Sequence, residues 1–217
     1  MADINRTFVN DRSFIRGAAR LLLAPYTQAR PLTISDVITL VDPTPPAVTP
    51  LKYDAQTGWV DLGATKTGIQ ITINNAEETF DIDQQLGDIA SQPTNWECSV
   101  GTQLAEMTLE RLQVAWEGSA ITTDATPSTG SEEEIGFGNP TAYTQRRLAV
   151  IFQRPNGKIR AYLFHKVQRT PQESSVTHTK TGEQISIPIR FKVLADTTVA
   201  DPLKRFFIIR DQHLAGT

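Results

Sequence analysis

Between residues 184 and 193 apolar side chains recur at every second position: Ile185, Ile187, Ile189, Phe191 and Val193 alternate with Gln184, Ser186, Pro188, Arg190 and Lys192. Successive side chains of an extended strand point to opposite faces, so this period dictates a strand with one buried face. Each apolar member contributes roughly 1.5–3 kcal/mol when fully buried, and a slip of one residue would expose all five. Pro188 has no N–H, which places its nitrogen at an edge or a bulge.

The same period recurs elsewhere. Ile69, Ile71 and Ile73 alternate with Gln70, Thr72 and Asn74; Phe80 and Ile82 with Thr79, Asp81 and Asp83; Trp96, Cys98 and Val100 with Glu97 and Ser99. Arg16 to Ala24 and Thr33 to Leu40 also read as strands. Arg146 to Gln153 and Lys158 to Val167 are expected to form a hairpin through Arg154-Pro155-Asn156-Gly157, because Asn-Gly supports the positive φ of a tight turn. Leu148, Val150 and Phe152 share a face of the first arm. On the second arm Ile159, Ala161 and Leu163 oppose Arg160, Tyr162, Phe164 and Lys166, so both of its faces are expected to be covered. Only residues 104–117 have a helical period, with Leu104, Ala105, Leu109, Leu112, Ala115 and Trp116 on one stripe. Thr102 is the expected N-cap and Gly118 the expected left-handed stop.

The expected fold is therefore mainly β: an antiparallel β-sandwich or barrel with one flanking α-helix, long loops and terminal arms. Residues 1–14 read as an N-terminal arm, 15–204 as a single domain, and 205–217 as a C-terminal arm carrying the patch Phe206-Phe207-Ile208-Ile209. Pro43, Pro45, Pro46 and Pro50 make 41–58 an extended loop. Residues 119–144, rich in Thr, Ser, Gly and Pro, form a second long loop that holds Glu132-Glu133-Glu134 and a hairpin expected around Ile135 to Phe137.

Composition narrows the function. Twenty-one basic and 24 acidic side chains give a net charge of −3, which argues against a protein whose whole surface grips nucleic acid. Cys98 is the single cysteine, so no disulfide forms within one chain, in keeping with a reducing cytoplasm. It has no basic neighbour in sequence and reads as a small buried hydrophobe. His165, His178 and His213 show no metal-ligand spacing, and His165 reads as structural. Asp81, Asp83 and Asp88 lack the spacing of a calcium loop. No phosphate loop, nucleophile elbow or dinucleotide fingerprint occurs, so the chain reads as a non-enzyme without catalytic, metal or cofactor-binding residues. The N-terminus lacks the basic-then-apolar pattern of a signal sequence, and Leu21 to Ala24 is far too short to span a bilayer, so a soluble protein without a membrane anchor is expected.

Several segments also occur in a telling order. Gly58-Trp59-Val60-Asp61-Leu62-Gly63 leads to Gly68-Ile69-Gln70-Ile71 and then to Asp83-Gln84-Gln85-Leu86-Gly87. Leu104-Ala105-Glu106-Met107-Thr108-Leu109-Glu110-Arg111-Leu112 follows, and Val193-Leu194-Ala195-Asp196 stands near the end. In order and spacing these resemble the tail tube proteins of long-tailed, siphovirus-like bacteriophages. The resemblance implies a β-sandwich with a flanking helix, six copies of which form a ring whose inner sheets join into one barrel. Stacked rings then make a hollow virion tube, assembled in the host cytoplasm, through which DNA passes during ejection. Implied partners are further copies of the chain, a tape measure protein, a tail terminator, baseplate or tip proteins, and a sheath if the tail contracts. A conduit must not hold phosphate, so a lumen without a basic stripe is expected, with Asp81 and Asp83 as candidate lumen-facing residues. Glu132, Glu133, Glu134, Ile135 and Phe137 are the candidate inter-ring loop. Two alternatives stand beside this: another ring-forming part, such as a tail terminator or a secretion-system tube, and a carbohydrate-binding β-sandwich, which would need exposed aromatic platforms.

Overall fold

Strand pairing follows the alternation in the computed structural model, which describes residues 19–31, 33, 35–37, 58–80, 90–106, 108–124, 132–139, 141–153, 158–170 and 186–212. The protein is mainly β and antiparallel. Among the described residues the strands are β1 (Ala19–Pro25), β2 (Val60–Asp61), β3 (Thr65–Phe80), β4 (Ala90–Leu104), β5 (Thr122–Asp124), β6 (Glu132–Glu134), β7 (Gln145–Gln153), β8 (Ile159–Arg169), β9 (Ile187–Val193) and β10 (Phe207–Asp211), and the helix α1 spans Leu109–Trp116. Eight strands form one sheet in the order β2-β1-β7-β8-β9-β4-β3, with β10 also paired to β8; β5 and β6 form a separate hairpin.

Strand β8 serves two partners in turn. Its Val167–Arg169 end pairs with β9 and its Arg160–Phe164 stretch with β10, both antiparallel. The chain thus leaves the sheet at Val193, makes an excursion over 194–206, and re-enters farther along β8. Residues 207–211, expected within a C-terminal arm, are instead a strand of the main sheet.

Each face of the sheet buries its own cluster. Leu21, Leu23, Leu148, Val150, Phe164, Val100, Ile189 and Phe191 belong to the larger one, which Val114 and Ala115 of α1 also enter. Leu22, Ala24, Ala149, Ile151, Ala161 and Leu163 form the smaller one with Val37 and Trp59. Adjacent residues of β1 therefore enter different clusters, and both faces of β8 are covered as its two apolar faces require. The edge strand β2 runs through Leu62, Gly63 and Ala64 directly into β3, at the opposite end of the strand order. The sheet must curl around the larger cluster for its two ends to come so close.

The helix departs from the expected limits. Leu104 and Ala105 fit the helical wheel by residue type, but Leu104 is the buried last residue of β4 and pairs with Thr65 and Ile187. Thr108, not Thr102, is the N-cap, its hydroxyl accepting from the Arg111 amide. Thr102 lies within β4 and donates its hydroxyl to Thr67 O at 3.0 Å. The left-handed position is Glu117 (φ 53°), and the Arg146 guanidinium grips its carboxylate through two hydrogen bonds. Gly118 matters for closeness instead: a Cβ there would lie 2.7 Å from Ile135 Cδ1 and 2.8 Å from Phe137 Cε1. Of the expected stripe, Leu112 and Trp116 pack on the larger cluster and Ala115 is inside it; the buried Arg111 and Val114 complete the face. Ser35–Val37 are helical, where a strand over 33–40 was expected. Thr33 and Asp36 exchange side-chain-to-amide hydrogen bonds there, at 2.8 and 3.2 Å, a capping arrangement that outweighs the β-branched composition.

Candidate functional site: an open strand edge and a polar sheet face

Two polar clusters fix the framework. In the first, Asp61 Oδ1 accepts from the Gly63 amide (2.9 Å) and Oδ2 from Arg20 Nε (2.7 Å). Gly63 takes a φ of 80°, a left-handed conformation open to glycine at no steric cost. Glu106 Oε1 accepts from the Ala64 amide at 3.2 Å, and its other oxygen lies 3.6 Å from Arg111 Nη2. Arg111 donates Nε to Leu62 O (3.0 Å). The Asp61-Leu62-Gly63 and Leu104–Leu112 segments, distant in sequence, thus meet at the bend between β2 and β3.

The second cluster lies between β7, β8 and the excursion after β9. Arg147 donates Nε to Tyr26 O and Gln28 O (3.0 and 2.7 Å) and Nη1 to His165 O (2.9 Å). The same Nη1 stands 3.7 Å from Asp196 Oδ2, an oxygen that has no hydrogen-bond donor. Asp196, fully buried, accepts at Oδ1 from the Thr198 hydroxyl (2.6 Å), the Thr198 amide (3.0 Å) and the Tyr26 hydroxyl (3.0 Å). Burial alone raises the Asp196 carboxyl, but the donors from Thr198 and Tyr26 together with the Arg147 charge outweigh it and hold the group below its ordinary range. Burial lowers the Arg147 guanidinium, against the pull of Asp196. His165 is pushed down to about 4, first by burial and then by the Arg30 and Arg147 charges, with Asp196 opposing. Arg147, Tyr26 and Asp196 thereby tie β7, β8, the turn after β1 and the excursion after β9 to one another.

Burial also drives the Cys98 thiol up to about 11, which keeps it protonated and unreactive. Among the described residues no group of His, Cys, Asp or Glu gathers to hold a metal ion, and no helix is long and apolar enough to cross a membrane. Asp81, Asp83 and Asp88 lie outside the described residues, as do His178, His213 and residues 1–14. Glu132, Glu133 and Glu134 form the exposed strand β6, paired to β5. Ile135 and Phe137 fold back over the end of α1, where Phe137 meets Trp116 edge-on at 5.3 Å.

The uncovered surfaces lie at the β3 end of the sheet. Strand β9 reaches along β4 only from Leu104 to Cys98, so β4 before Cys98 and the whole of β3 form a hairpin that outruns its neighbours. Among the described residues β3 pairs with β4 alone, so no described strand lies along the other edge of this 16-residue strand. The face of β3, β4 and β9 turned away from the larger cluster is polar, with rows that pair Thr72, Ser99 and Lys192 and pair Gln70, Gly101 and Arg190. Arg190 donates to the Ser99 hydroxyl at 2.9 and 3.2 Å, and Lys192 stands 3.5 Å from the Glu97 carboxylate. Sequence alternation located this face; the pairing of its two cations with Ser99 and Glu97 needed the register. Compared with known protein families and with curated proteins, the chain matches none.

Proposed function

We propose that this chain is a non-enzymatic structural subunit that self-assembles into stacked rings, forming the tail tube of a long-tailed bacteriophage and the conduit for its DNA. The 16-residue edge of β3, which no described strand covers, carries this reading. A long strand edge presents a row of unpaired backbone groups, and a monomer that leaves one uncovered is prone to indiscriminate pairing. Closing such edges between copies removes that hazard. The polar face beside the edge suits a channel wall, because Gln70, Thr72, Ser99 and Gln103 are uncharged and Lys192 is offset by Glu97, which leaves Arg190, held by the Ser99 hydroxyl, as the remaining cation of these rows. Contacts with tape measure, terminator and baseplate or tip proteins belong to the same reading, with a sheath if the tail contracts. A carbohydrate-binding module would need an exposed aromatic platform, whereas Trp59 is buried and Trp96 and Trp116 are half-buried. Negative-stain microscopy of the purified protein tests the proposal: hollow filaments of one repeating subunit are expected, and a chain that stays monomeric at every concentration would overturn it.

The channel-wall role makes its own forecast. Lysine at both position 70 and position 72 should leave tubes intact, since neither side chain enters a core cluster. DNA passage through virions carrying Gln70→Lys and Thr72→Lys should slow, and the slowing should shrink as salt rises, because counterion release drives phosphate binding. Ejection at the parental rate in low salt would remove this face from the channel.

A further inference from the structure

A cavity of about 230 Å³ lies between α1, the end of β1, β2 and the start of β7. Leu23, Val60, Leu62 and Val114 make its apolar wall, and each of them is buried in the fold. The helical repeat puts a cation into the same wall: Arg111 stands one turn before Val114 and Ala115 and shares their inward face. Its side chain is only 4% exposed. Among the described residues that side chain makes one hydrogen bond, from Nε to Leu62 O. Its Nη2 stands 3.6 Å from Glu106 Oε2, too far for a hydrogen bond. A guanidinium carries five N–H donors, so the Nη side of the fork has donors to spare beside an apolar hollow.

We infer that this cavity is a binding site for a small neutral molecule with an apolar body and one hydrogen-bond-accepting oxygen, such as an aromatic ketone or amide. The size fits. An apolar cavity of about 150 Å³ takes up benzene, so this larger one has room for a substituted ring. The need for an acceptor follows from Arg111, because a buried donor without an acceptor is costly and a ligand oxygen removes that cost. The surrounding charges select against an acid. Arg146 is gripped by both oxygens of Glu117, Glu106 stands beside Arg111, and Glu110 lines the same wall. Two cations thus already face three carboxylates, and a further anion would meet repulsion. A molecule seated here would join α1 to β1 and β2, and by binding only the folded chain it would stabilise the fold. The site stands apart from the proposed tube, since it uses neither the β3 edge nor the polar sheet face.

Toluene, acetophenone and benzoate share a ring and differ in the acceptor and the charge, so they separate these contributions. Equilibrium dialysis and thermal melts of the full chain read monomer and assembly alike. Acetophenone should bind saturably, about tenfold more tightly than toluene and more tightly than benzoate. At ten times its Kd it should raise Tm by roughly 3–6 °C. Arg111→Met, which removes the donors, should erase the preference for acetophenone over toluene. Thr144 is an exposed residue at the rim, and Thr144→Trp should block the mouth and weaken both ligands while the chain melts like the parent. If Arg111→Met does not fold, the three probes and the Thr144→Trp chain decide the matter. No saturable binding of acetophenone would mean that water alone serves the guanidinium, and would overturn the site. Tighter binding of benzoate than of acetophenone, or a Thr144→Trp chain that binds like the parent, would overturn it as well. Each of these results leaves the tube proposal untouched.

Discussion

Arg147→Ala is expected to lower the unfolding free energy by about 3–5 kcal/mol, the cost of leaving a buried charge without its partner. Three backbone carbonyls, on Tyr26, Gln28 and His165, lose their donor at once. The fully buried Asp196 loses the guanidinium 3.7 Å from its Oδ2, an oxygen without a hydrogen-bond partner among the described residues. For a chain of this size the change corresponds to a fall in Tm of about 6–20 °C. Denaturant titration with thermal melts checks it, and a loss below about 1 kcal/mol would show that water replaces the guanidinium without penalty. Arg147→Lys should recover little, because one ammonium cannot reach the positions that the planar guanidinium serves together.

Acidification should destabilise the fold through His165. His165 has an ordinary value of 6.5 and a folded value of about 4. Within that window the unfolded chain binds a proton that the folded chain refuses, so stability is complete above the upper value and falls as pH drops towards the lower. The full loss is roughly 3 kcal/mol. Arg147 from β7, Arg30 from the segment after β1 and Asp196 from the excursion all act on the imidazole, and their charges stay constant across the window. Asp196, held below 3.8, adds a further loss only at lower pH. Denaturation midpoints measured across the window should slope for the parent and be nearly flat for His165→Gln; equal slopes would place the titrating group elsewhere.

How far the sequence reveals this structure depends on whether a residue's role is local. The alternation in β9 and the two apolar faces of β8 are local properties, and both appear in the strands and their clusters. The helix start was obscured because Leu104 and Ala105 are apolar at helical spacing, whereas the pairing of Leu104 with Thr65 and Ile187 comes from distant segments. Arg111 was invisible as a core residue because its type says surface; the Leu62 carbonyl, 49 positions away, and the Glu106 carboxylate make its burial tolerable. Asp196 was conspicuous as the end of the Val193–Asp196 segment, but its hydrogen bonding depends on Tyr26, 170 positions earlier. His165 shows no acidic neighbour in sequence, and the carboxylate that acts on it arrives with the excursion after β9. Strand β10 was read as an arm because Phe206 to Ile209 lack alternation, which a strand contacting both clusters does not need.

The pairing of β1 with β7 has a consequence for the making of the protein. Leu22 lies opposite Ala149, so the apolar stretch Leu21–Ala24, which the two-residue β2 covers on its other side, finds its long partner β7 only after another 127 residues have been added. At a ribosomal pace of about 5–20 residues per second, that stretch waits roughly 6–25 s without β7. The long hairpin of β3 and β4, whose contacts are near in sequence, closes within microseconds of emerging. A nascent chain therefore displays a finished hairpin while its own first strand still lacks β7. Translation rate and chaperone supply, as much as the final stability, then govern the yield of native subunits.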